Sequence, residues 1–227
     1  MCVYEPALIK MPAKPSSLAL PILDDELEAR LRARMQEVEE ALEEAVQSEA
    51  KFVTDAARHL MNAGGKRFRP LLVLLAAETG NPLADGVITS ACVVELTHLA
   101  SLYHDDVMDE AAVRRGVASA NTRWGNSVAV LTGDFLFARA SDILADLGPE
   151  AVRLQARTFE RLVTGQIRET VGPTPDEDPV EHYLSVLADK TGSLIATSGR
   201  FGAMLAGASD TAVDVLTRFG ERIGIAF

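Results

Sequence analysis

The sequence predicts an all-α protein, an antiparallel bundle of long helices around a central cavity. Three observations carry this expectation. Apolar residues recur at spacings of three and four, Gly and Pro break the chain at helix-length intervals, and no stretch alternates as a half-buried strand would. Of 227 residues, 48% are hydrophobic and 24% charged, enough apolar material for one sizeable core. Residues 22–227 are read as a single helical domain. Residues 1–21, with Pro6, Pro12, Pro15 and Pro21, are read as an irregular N-terminal arm.

The first helix is expected over residues 23–48, where Leu27, Leu31, Met35, Val38, Leu42 and Val46 form one stripe and Asp24 or Asp25 can cap the start. A short helix over 53–61 stops before Gly64-Gly65. Pro70 suits the first turn of the next, which runs through 71–79 until Asn81-Pro82 breaks it. Further helices follow at 84–109, 127–147, 150–171, 180–206 and 211–227. Gly148-Pro149, Gly172-Pro173-Thr174-Pro175 and Gly207 punctuate them, and Asp210 is expected to cap the last.

Charge narrows the function. A formal net charge of -11 argues against a general nucleic-acid binder, which needs a basic face. Within that acidic background, Lys66-Arg67-Phe68-Arg69 and Arg114-Arg115 are tight basic clusters that suit a small anionic ligand. The two cysteines, Cys2 and Cys92, offer neither a zinc site nor a disulfide framework, which fits a reduced, cytoplasmic compartment with Cys92 in the core. The apolar run over 71–77 is too short to span a bilayer, so no transmembrane segment is expected. A lipid substrate would be met by a soluble or peripheral enzyme.

The most informative segment is His98-Leu-Ala-Ser-Leu-Tyr-His-Asp-Asp-Val-Met-Asp109. Asp105 and Asp109 lie one helical turn apart on one face. Their mutual repulsion, and the negative end of the helix dipole, are tolerable if a cation offsets them. Oxygen ligands without His or Cys favour Mg²⁺ over zinc, and Mg²⁺ commonly shares itself with substrate phosphates. Spacing alone is weak evidence, since Asp210 and Asp214 share it at what reads as a solvated helix start. The neighbours strengthen the first pair. Arg114-Arg115-Gly116 follows five residues on, and arginine forks match phosphate oxygens. Upstream, Gly64-Gly65-Lys66-Arg67-Phe68-Arg69-Pro70 places glycines and cations just before a helix start. A metal-held diphosphate and a second diphosphate on basic side chains, in one cavity, is the reading these residues support.

The combination G-G-K-R-x-R-P, then H-x-x-x-x-x-H-D-D-x-x-D, then R-R-G resembles the trans-isoprenyl diphosphate synthases, or polyprenyl synthetases, over about residues 60–227. Residues 121–126, 131–136 and 189–192 are similar to that family's later segments. The resemblance implies an isoprenoid synthase fold and the Mg²⁺-assisted condensation of isopentenyl diphosphate with an allylic diphosphate. It implies that Lys66, Arg69, His98 and Arg115 bind isopentenyl diphosphate. Asp105 and Asp109 would hold Mg²⁺ on the allylic diphosphate, with Asp106 beside them, while Arg114, Lys190 and Thr191 contact that group. His98 and Lys190-Thr191 would say little without the family. A homodimer is implied as well.

The growing hydrocarbon is expected beside the carboxylate helix, past Ser101, Ala100 and Thr97. Bulky aromatics block the tunnel there in short-chain members, so small residues predict a product longer than geranylgeranyl. The family's second aspartate-rich motif is not found, so the chain is expected to be truncated before it, and the activity of the chain alone is left open. Two alternatives stay open: a class I terpene cyclase, and a non-catalytic subunit of a heteromeric prenyl synthase.

Overall fold

A computed structural model of the chain describes residues 22–226, and the expected N-terminal arm lies outside them. The order is α1 (Asp25–Ala45), α2 (Lys51–Asn62), α3 (Phe68–Ala77), α4 (Gly86–Met108), β1 (Val113–Arg114), β2 (Val117–Ala118), α5 (Ala120–Trp124), α6 (Asn126–Ala145), α7 (Pro149–Val171), α8 (Pro179–Leu187), a π-helical turn (Ala188–Gly192), α9 (Ser193–Leu205) and α10 (Asp210–Ala226).

Local chemistry sets the helix starts. The Asp24 carboxylate accepts a hydrogen bond from Leu27 N at 2.8 Å, satisfying one orphan donor of α1. Asp178 does the same for α8, accepting from Val180 N and Glu181 N. At α10 the cap is Ser209, whose hydroxyl accepts from Ala212 N at 3.3 Å. The expectation of Asp210 was one residue late, because Asp210 already belongs to the first turn.

α4 is the central element and packs against α1, α3, α6 and α9. Ala91, Cys92, Val93, Val94, Leu96, Leu99, Ala100 and Tyr103 are all within the core. Each fully buried side chain of Val or Leu size contributes about 1.5–3 kcal/mol. Burial on every side explains why α4 is apolar all round. By length and composition it could cross a membrane, yet 67% of the qualifying window is buried inside the bundle. Tyr103 pins α2 to α4. Its hydroxyl donates to Ala56 O at 2.6 Å and accepts from Leu60 N at 3.2 Å, so its polar end is satisfied in the core.

Two features depart from the expected elements. The residues after α4 form a two-residue β-hairpin, with Val113 opposite Ala118 and Arg114 opposite Val117. Its turn is Arg115-Gly116, both with positive φ (52° and 79°), as a primed two-residue turn requires. A ladder this short has no detectable alternation. The expected single helix over 180–206 is nearly continuous, but widens into the π turn at Ala188–Gly192. Gly165 of α7 makes room for it: a Cβ there would lie 2.6 Å from Lys190 N. π turns inside helices often mark functional positions.

Candidate active site

The last turn of α4, the start of α3 and the π turn meet around a cavity of about 110 Å³. It is lined by Arg69, His98, Ser101, Asp105, Leu162, Lys190, Thr191 and Leu194. Residues separated by more than a hundred positions in sequence therefore share one space. Asp105 faces Lys190, and burial, together with Asp109, raises its pKa while Lys190 and Arg114 pull it down. Asp109 is exposed and ends the helix, its N–H donating to Asp105 O at 2.8 Å.

Arg69 Nε is buried without a hydrogen-bond partner among the described residues. Burial lowers the Arg69 pKa, Glu95 opposes the shift and Arg115 adds to it. A guanidinium has enough reserve to stay charged. His98 is more strongly perturbed: burial, then the nearby Arg69, Arg115, Arg67 and Arg114, hold its pKa well below the usual value. It is a neutral imidazole, with one N–H to donate and one nitrogen to accept.

Beneath these groups sits Glu95, which sequence reasoning missed. It is 2% exposed, 2.9 Å from Arg67 and 3.8 Å from Arg115. Arg67 also binds Glu39 at 2.6 Å and Met61 O at 3.1 Å, so it braces the loop instead of facing the cavity. Arg115 donates to Leu60 O at 2.9 Å and lies flat over Gly65, where a Cβ would sit 2.9 Å from its Cζ. That close approach accounts for glycine in the Gly64-Gly65 pair. The sequence signal for Glu95 was available: an ionisable residue in the middle of an apolar helix, one turn before His98.

Arg114 and Asp106 form a second brace. Both Arg114 Nε and Nη2 lie 2.6 Å from Asp106 Oδ1. Asp106 is fully buried, and its other oxygen has no partner among the described residues. Burial raises its pKa, and the bond to Arg114 counters the rise. Neither residue lines the cavity. Asn121 holds the turn from the other side, its side-chain amide donating to Asp106 O and Ala111 O at 3.1 and 3.2 Å. Lys190 is tied to Glu169, with Nζ 2.5 Å from Oε2. Lys66 is exposed at the loop before α3.

A second, apolar cavity of about 310 Å³ adjoins the first through Ser101, Asp105 and Leu162. Val107, Met108, Val130, Phe137, Phe159, Val163 and Ile167 wall it. The Phe137 and Phe159 rings meet at 4.4 Å. Of the three residues expected along a tunnel, Ser101 lines both cavities. Thr97 and Ala100 are fully buried and are not among the lining residues. The backbone carbonyl of Ala100 comes close to α6, 3.1 Å from where a Gly133 Cβ would stand. Thr97 accepts a 2.6 Å bond from Gln155.

The donor set suits a divalent cation of the oxygen-loving kind. Asp105 and Asp109 are two carboxylates one turn apart, and the rise in the Asp105 pKa from burial and from Asp109 is what a bound cation would offset. Among the described residues no group of three or more His, Cys, Asp or Glu could hold a metal. A closed zinc-type cage is therefore not built here; an open pair leaves most of the coordination shell to water and substrate oxygens, as Mg²⁺ prefers.

The sequence matches the polyprenyl synthetase family model over residues 50–227. It is 52% identical over 200 residues to a nonaprenyl diphosphate synthase of Mycobacterium tuberculosis, covering 88% of this chain and 60% of that protein. A heptaprenyl diphosphate synthase component 2 of Geobacillus stearothermophilus is 43% identical over 84% of this chain and 60% of its own length. Among solved structures, a geranylgeranyl pyrophosphate synthase from Corynebacterium glutamicum, complexed with calcium and isoprenyl diphosphate, superposes with a TM-score of 0.82. It is 52% identical, over 90% of this chain and 63% of that one. This chain thus spans about three fifths of the length of these relatives.

Proposed function

This chain belongs to the polyprenyl synthetase family, and on that premise we propose that its site condenses isopentenyl diphosphate with an allylic diphosphate into a linear trans polyprenyl diphosphate. The observation that carries the reading is the single cavity shared by Asp105, Arg69, His98, Lys190 and Thr191. It combines a place for a metal-held anion with cations that need no metal.

Asp105 and Asp109 would hold Mg²⁺, which supplies charge neutralisation and Lewis-acid polarisation of the leaving group. Lys190 and Thr191 contact the same diphosphate from the opposite wall and stabilise the charge it gains as its carbon–oxygen bond breaks. Arg69, Arg115, Lys66 and neutral His98 orient isopentenyl diphosphate, whose double bond attacks the allylic cation. A proton then leaves to the released diphosphate. The apolar cavity beyond Ser101 takes the hydrocarbon and keeps water from the cation. Arg114 and Asp106 act one layer out, fixing the hairpin that presents Arg115.

We read the product as longer than geranylgeranyl. Small Ser101 supports this, since it leaves the two cavities connected. A cytoplasmic homodimer is part of the same proposal; the exposed Val130 and Leu131 on α6 are a face that a second copy would cover.

The test uses isopentenyl and farnesyl diphosphates with Mg²⁺, and mass spectrometry of the product. Linear diphosphates beyond twenty carbons are expected. A cyclic hydrocarbon would select the cyclase reading. Calorimetric binding of inorganic diphosphate that ignores both Mg²⁺ and Asp105→Asn would overturn the assignment of the site.

A further inference from the structure

At the end of the bundle remote from the carboxylates, three arginines converge on a cleft of about 420 Å³. Arg153 and Arg157 come from α7 and Arg200 from α9, with Pro149, Glu150 and Leu154 completing the lining. The start of α4 marks that end, because a side chain at Gly86 would touch both Leu147 and Leu205. Nineteen residues of helix separate Gly86 from Asp105, or about 28 Å at 1.5 Å per residue. The cleft shares no lining residue with the diphosphate cavity, so the two are distinct.

Most arginines of this acidic chain are paired with carboxylates; these three are not. Arg153, Arg157 and Arg200 make no ion pair among the described residues, although Glu150 lines the same cleft. Arg200 Nε is buried with no hydrogen-bond partner among the described residues. Arg153 and Arg157 stand one turn apart on α7, an arrangement that like charges disfavour. An anion bound between them removes that repulsion and supplies the missing acceptor.

A second, apolar cleft shares Pro149 and Arg153 with the first and is otherwise walled by Ala145, Gly148, Val152 and Ala156. Val152 is 42% exposed. Cations on one side and an apolar trough on the other match an amphiphile with a phosphate head and a hydrocarbon tail.

We propose that Arg153, Arg157 and Arg200, with the adjoining trough at Val152, bind the phosphate headgroup and first acyl segment of an anionic membrane lipid. Arginine forks match the phosphate, and the trough takes the chain. Net charge of the whole chain opposes an anionic surface, so docking depends on this local patch and orients the bundle with its carboxylate end away from the lipid. The inference is independent of the condensation chemistry, and either can fail alone.

The test is flotation of the chain with phosphatidylcholine vesicles, with and without one third phosphatidylglycerol, beside calorimetric titration with inorganic phosphate. Each basic residue near an anionic surface contributes about fivefold in partition, so Arg153→Gln/Arg157→Gln/Arg200→Gln should lose roughly a hundredfold. Arg153→Gln/Arg157→Gln, both exposed, keeps the test valid if the triple variant folds poorly, and should lose about twenty-five-fold. Val152→Asn, which adds no charge, should weaken flotation and leave phosphate titration unchanged. Saturable phosphate binding that the arginine substitutions remove, without flotation, would keep the anion site and reassign its source to free phosphate. Absence of both, or vesicle binding indifferent to the arginine substitutions, overturns the proposal.

Discussion

Replacing Glu95 tests the electrostatic core of the site. Glu95 is 2% exposed, with Arg67 at 2.9 Å and Arg115 at 3.8 Å, and it opposes the desolvation of buried Arg69. In Glu95→Gln the shape survives and the charge does not. Arg67 keeps Glu39 at 2.6 Å, but Arg69 and Arg115 lose their buried counter-charge. Removing one partner of a buried pair costs about 3–5 kcal/mol. The retained Glu39 contact and the amide's remaining hydrogen bonds place the expected loss near the low end, about 3 kcal/mol. For a chain of this size that corresponds to a fall of roughly 6–12 °C in Tm. Urea unfolding monitored by circular dichroism measures it directly. A loss under about 1 kcal/mol would mean that Glu95 does not compensate the arginines, and the account of the arginine cluster would fail.

Other outcomes follow from the same geometry. Asp105→Asn removes a desolvated charge beside Asp109, so without metal the fold should gain roughly 0.5 kcal/mol, the scale of a like-charge pair one turn apart; the proposed turnover should fall at least a hundredfold. A less stable variant would contradict the raised pKa. His98 resists protonation when folded and accepts a proton when unfolded, so it costs stability as pH falls below about 6.5. The limit is about 1.4 kcal/mol per pH unit, and His98→Gln should flatten that part of the stability profile. Equal slopes in both proteins would refute a neutral His98. Ser101→Phe should shorten the product, because Ser101 lines both cavities, whereas Ala100→Phe should overpack the fully buried core around α4 and destabilise it by about 1–3 kcal/mol. Thermal melts with product analysis separate the two effects. Gly165→Ala should displace the π turn and weaken allylic diphosphate binding, given the 2.6 Å approach to Lys190 N; unchanged affinity would remove the π turn from the site.

By itself the sequence determined the helical class, the α4 core and the chemistry of the carboxylate end. Periodicity and charge spacing are local properties, and Asp105, Asp109, Arg114 and Arg115 lie within one short stretch. Glycine and proline marked the breaks to within a few residues, because backbone conformation is a local constraint as well. What only the tertiary structure decided is who faces whom. Asp105 meets Lys190 across one cavity, and Arg67 turns to Glu39 and Glu95 while Arg69 makes no ion pair among the described residues. Arg114 is bound to a buried Asp106, and Ala100 and Ser101, adjacent in sequence, part company, the first to the core and the second to the cavities. These choices depend on which helix faces are desolvated when the bundle closes, and desolvation is a property of the packed chain that no window of sequence contains.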